Sequence, residues 1–136
     1  MTRRESRIVA FQGLYSWDVG NIPLAEVLAF SWVEPRVAAE DDEGMAFARL
    51  LIAGTVEFSD EIDETIKRFL KNWDFSRLNR VTVAILRMSV YSLMKQKDIM
   101  PSIVIDEAIH IAKEFGPDDS YKFVNAILDN IKKSLE

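Results

Sequence analysis

Arg3, Arg4 and Arg7 stand within the first seven residues and run straight into an apolar helical pattern. Residues three and four apart share a helix face, so Arg7 falls on the side of Arg3 and Arg4. Guanidinium forks grouped this way suit phosphate oxygens and stack on flat rings. The chemistry they suggest is polyanion binding, against the formal net charge of -5 for the whole chain. A second cluster lies near the other end, where Asp119, Ser120, Lys122 and Phe123 surround a helix start. An aromatic ring beside a cation and open helix amides is a platform for an unpaired base. The same spacing also lets Phe123 extend the apolar face of Val124 and Ile127.

Signals for catalysis are weak. His110 is the only histidine, four residues after Asp106, with which it could pair. No cysteine and no glycine-rich phosphate loop accompany it, so neither a catalytic centre nor a metal or cofactor site is expected. The run Glu40-Asp41-Asp42-Glu43 lacks the alternating ligands and central glycine of a calcium loop. It reads as a linker leading into a helix.

The elements that would position these residues are helices. Five glycines and four prolines leave few breakers for turns. Thr2 followed by Glu5 forms a capping box for a first helix from Arg3 to Val19, stopped at Gly20-Asn21. Pro23 starts a short helix through Val33, closed by Glu34-Pro35. Residues 36–42 form an acidic linker. A long stretch from Asp42 to Leu70 keeps a 3.6-residue apolar period, with a fresh capping signal at Ser59 and a bend near Glu57. After a turn at Trp73–Asn79, helices follow over Arg80–Lys97, Pro101–Phe115 and from Asp118–Ser120 to Ser134. No strand-like alternation persists, so the chain is read as all-α and as one domain, 1–136.

Hydrophobic residues at 49% and charged residues at 29% are ordinary for a globular protein. No apolar run approaches the roughly 20 residues of a membrane span, and no secretory signal is expected. The lack of cysteine fits a reducing cytoplasm. Charge is segregated: Ile22–Glu64 holds eleven acidic residues against two arginines, and Lys67–Lys97 holds eight basic residues against Asp74. Surface fields of opposite sign would steer association, although solvated helix faces explain the pattern equally well.

Several segments together carry a family resemblance. They are the arginine-rich start, Phe11-Gln12-Gly13-Leu14-Tyr15-Ser16-Trp17, Val83 to Tyr91, Ile105 to Lys113, and Lys122-Phe123-Val124-Asn125-Ala126-Ile127-Leu128. In order and across nearly the whole chain, the pattern resembles the NusB family of bacterial transcription antitermination factors. The resemblance implies about seven helices in two packed bundles. It implies an RNA ligand, the boxA element of nascent ribosomal RNA transcripts. It also implies a small-subunit ribosomal protein acting as NusE, and membership of the antitermination complex on RNA polymerase. By position it assigns Arg3, Arg4, Arg7, Lys122, Phe123 and Asp119 to RNA, and Tyr15, Leu70, Thr82 and Ile85 to the ribosomal partner. Leu70 stands where some relatives have an aromatic residue. A homodimer is a further possibility. The competing reading is a helical scaffold without RNA binding, related to the domain fused to an rRNA cytosine methyltransferase.

Overall fold

The computed structural model describes residues 1–34 and 42–136. The acidic linker lies outside the described residues except at position 42, where a helix begins. Seven α-helices are present among them. They are α1 (Arg3–Val19), α2 (Leu24–Leu28), α3 (Asp42–Glu57), α4 (Ser59–Arg68), α5 (Arg80–Lys95), α6 (Pro101–Phe115) and α7 (Ser120–Ser134), with a 3₁₀ turn at Phe75–Arg77.

Local chemistry explains the boundaries. The Thr2 hydroxyl accepts from the Glu5 amide at 3.1 Å, and the Glu5 carboxylate accepts from the Thr2 amide at 2.8 Å. These bonds satisfy helix-end donors that α1 would otherwise leave open. The second helix ends five residues before Val33. Phe30 takes a left-handed backbone (φ 55°), and the Trp32 indole N–H donates to the Val27 carbonyl at 2.9 Å. The long stretch breaks at Phe58, but Ser59 is the first residue of α4 rather than its cap, and no side chain caps that end. Asn79 accepts from the amides of Val81 and Thr82 and starts α5. That helix stops two residues before Lys97, where the Ser92 hydroxyl donates to the buried Gln96 side chain at 2.6 Å.

Every residue of α5 from Thr82 to Leu93 is buried. A helix enclosed all round must lie at the centre of the packing. On one side of it α1, α2 and α3 form the first bundle, and α4, α6 and α7 pack with it as the second. Helix α3 crosses α5 closely because Gly54 has no Cβ; the Tyr91 ring occupies the space one would need.

The two bundles also share a chain of ion pairs. Arg80 donates to Asp18 at 2.6 Å, Arg87 approaches Asp18 at 3.4 Å, and Arg87 grips Asp63 through two bonds of 2.9 Å. Burial opposes the Arg87 charge, but its bonds and proximity to Asp63 and then Asp18 outweigh that and hold its pKa above the usual guanidinium value. Lys95 likewise meets Glu61 at 3.3 Å. Part of the segregated charge therefore closes on itself between α4 and α5, and Arg87 is a buried tie rather than part of a solvated basic face.

Candidate nucleic-acid interface

The three arginines do not share one environment. Arg3 keeps 53% of its side chain exposed, lies 4.2 Å over the Phe47 ring and is 3.8 Å from the well-exposed Glu43. Arg4 is half exposed and forms a two-bonded pair with Glu107 of α6, Nε to Oε2 at 2.9 Å and Nη2 to Oε1 at 3.2 Å. Arg7 is buried, at 6% exposure, with its guanidinium 5.3 Å from the Phe47 ring centre. Burial lowers the Arg7 pKa, an effect the Glu107 charge partly offsets. The expectation that all three project together is corrected here. One helix turn carries Arg7 inward against α3, and the reachable cations of this corner are Arg3 and Arg4.

The second cluster is an aromatic cleft. Phe123 is half-buried against the core, and the edge of its ring meets Trp73 at 5.8 Å between centres. Phe123 therefore extends the core face of Val124 and Ile127 and also borders a surface cleft. That cleft is lined by Trp73, Leu78, Asn79, Thr82, Pro117, Ser120 and Phe123, and encloses about 170 Å³. It lies between the beginnings of α5 and α7, whose dipoles place partial positive charge there. The Ser120 hydroxyl is hidden and has no hydrogen-bond partner among the described residues. Lys122 is exposed and lies 3.7 Å from Asp119, which precedes α7 in a left-handed conformation (φ 64°).

Two side-chain contacts mark the seam between α1 and α6. Arg4 meets Glu107 midway along α6, and Phe11 meets Phe115 at 5.2 Å near its end, from which Gly116 and Pro117 lead into the cleft. Eight residues of helix separate Glu107 from Phe115, a rise of about 12 Å.

Trp73 escaped the sequence reading. At 61% exposure it is the most open aromatic ring among the described residues. Its only signal was its place in a turn, off any periodic stripe. The four residues assigned to a protein partner also separate. Tyr15 is exposed and Leu70 half-buried, whereas Thr82 sits at 4% exposure in the cleft and Ile85 is fully enclosed. Ile85 cannot meet a partner directly, because its turn of α5 lies inside the molecule. The side chains of Asp106 and His110 form no hydrogen bond or ion pair with each other among the described residues. No group of three or more His, Cys, Asp or Glu residues there could hold a metal ion.

These features define a two-bundle, all-helical protein that offers cations and a stacking surface at one seam. The chain belongs to the NusB family, whose model matches residues 4–133. It is 55% identical over 130 residues to the transcription antitermination protein NusB of Treponema denticola, covering 96% of this chain and 95% of that one. Its identity to NusB of Bacillus licheniformis is 42% over 136 residues, covering both chains in full. Among solved structures, NusB of T. maritima superposes with a TM-score of 0.87 at 36% identity, covering 98% of this chain and 92% of that one. A chain from the complex of antitermination factors NusB and NusE with double-stranded RNA gives 0.85 at 27% identity, covering 98% and 99%.

No helix among the described residues is long and apolar enough to cross a membrane.

Proposed function

We infer that this protein is a cytoplasmic transcription antitermination factor. It binds boxA RNA of nascent ribosomal transcripts together with a ribosomal protein of the NusE kind, and joins the antitermination complex on RNA polymerase. Its work is recognition, not catalysis. The observation that carries the reading is the seam itself. Exposed Arg3 and ion-paired Arg4 stand at one end, and the Phe123–Trp73 cleft with Lys122 stands at the other.

RNA sequence is read mainly on single strands, whose bases leave the stack and lie on aromatic or guanidinium planes. Arg3, Arg4 and Lys122 supply phosphate contacts, and Phe123 with Trp73 supplies a surface for a base. Asp119 holds Lys122 loosely and sets the start of α7. Arg7 supports this surface from beneath, holding Phe47 and adding positive charge without touching RNA. Tyr15 and Leu70 are the reachable members of the protein-partner face, and Thr82 forms part of the cleft wall.

A mobility-shift titration with a boxA oligonucleotide and a scrambled one, with and without the ribosomal partner, tests the reading. Preference for boxA that strengthens when the partner is added is expected. Equal binding of the two RNAs in both conditions would favour the scaffold reading instead.

A further inference from the structure

The arginine corner already contains an occupant for its phosphate-binding fork. Arg4 gives Nε and Nη2 to the two oxygens of Glu107, the side-on geometry with which a guanidinium takes a phosphate. Glu107 faces more than Arg4. Its charge also acts on Arg7, His110 acts on it in turn, and Glu114 adds a second negative charge near Arg4. The pair lies at the rim, with 46% of the Arg4 side chain and 18% of the Glu107 side chain exposed. A pair whose arginine is half open to water contributes modestly to stability, so exchanging its carboxylate for a phosphate costs little.

Resting on the antitermination reading above, we propose that Glu107 is an internal competitor for RNA phosphate. In the free protein it occupies Arg4, and RNA binds by replacing the carboxylate with a backbone phosphate. The exchange leaves a mark on the salt dependence. A phosphate that takes Arg4 releases a counterion from the RNA, but added salt also screens the Arg4–Glu107 attraction that the phosphate must displace. Arg4 therefore adds less to the salt slope while Glu107 is present. With a neutral, isosteric glutamine in its place, Arg4 behaves as an open cation and adds about 0.7 to the slope on single-stranded RNA. Glu107 thus holds the affinity of the isolated protein down and leaves more of the binding to depend on the ribosomal partner.

The test is a salt-dependent titration of the full-length protein with a boxA oligonucleotide and a scrambled control. It uses wild type, Glu107→Gln, Arg4→Ala and the double variant, with a thermal midpoint for each. Glu107→Gln is expected to bind boxA RNA about two- to fivefold more tightly, the range set by a partly exposed ion pair, with the steeper salt slope. Adding Arg4→Ala is expected to remove both gains. Unchanged or weaker binding by Glu107→Gln would overturn the proposal. So would an equal gain from Arg4→Ala alone, because that variant breaks the same pair without freeing a cation. Wild type that binds boxA no better than the scrambled RNA both with and without the ribosomal partner would overturn the antitermination reading first, a result distinct from a boxA-specific wild type that Glu107→Gln does not improve.

Discussion

Two arginine–carboxylate arrangements flank helix α1, and they differ in how deep one arginine lies: Arg4 keeps 46% of its side chain exposed and Arg87 9%, while Glu107, Asp18 and Asp63 are covered alike. Near its start, Arg4 holds Glu107 at the rim of the molecule. Near its end, Asp18 joins Arg80 and the buried Arg87, which in turn grips Asp63. The bonds are alike in length and geometry. Water reaches Arg4 and makes the first pair exchangeable, whereas enclosure of Arg87 makes it a tie that cannot be removed without leaving its carboxylates uncompensated. Identical side-chain chemistry thus gives an exchangeable pair at one place and a tie between the bundles at the other.

Removing the inner tie should have the largest effect. Arg87→Ala leaves Asp18 and Asp63 partly buried without their shared cation, and a loss of about 3–5 kcal/mol is expected in chemical denaturation. Arg4→Ala should lower stability by less than about 1 kcal/mol. Similar losses from the two would show that depth does not separate them.

Packing at the centre comes next. Gly54→Ala drives a methyl group into the Tyr91 ring, and overpacking of this kind costs about 1–3 kcal/mol. A thermal midpoint equal to wild type would mean that α3 and α5 part easily.

Phe123→Ala sharpens the account of the cleft. Losing a stacking surface costs about 1–3 kcal/mol of single-strand binding. Loss of thermal stability with RNA affinity intact would make the ring a core residue only.

The smallest effect concerns pH. The Arg4 hydrogen bond, followed by the charges of Arg4, Arg7 and His110, holds the Glu107 carboxyl below the usual carboxylate range, against the opposing effect of burial. A depressed folded-state pKa contributes stability above the unfolded value, and that contribution disappears as pH falls through the folded value. Acid titration of stability should therefore be slightly shallower in Glu107→Gln than in wild type. Coincident profiles would remove Glu107 from the acid response.

Much of the scaffold was legible because its causes are local. The Thr2–Glu5 box, Pro101 in a first turn and the bend beside Glu57 depend on residues within a few positions of one another. The early end of α2 was not legible, since it rests on a left-handed Phe30 and an indole bond from Trp32. The site divided in the same way. Helical spacing placed Arg3, Arg4 and Arg7 near one another, but only the packing of α3 against α1 decided that Arg7 is covered and Arg3 open. Arg87 looked like one more charge in a basic block, because its partners come from helices 24 and more residues away. Trp73 belongs to no stripe, so its value as a surface ring emerged only once Phe123 stood beside it.

The claim that the α1 corner meets RNA phosphates is tested most directly by the log–log salt slope of boxA binding for wild type and Arg3→Ala. Arg3 is open, and among the described residues its ion-pair partner is Glu43, at 3.8 Å. Its removal should reduce the slope by about 0.7 while the thermal midpoint stays unchanged. An unaltered slope would place the RNA elsewhere on the molecule.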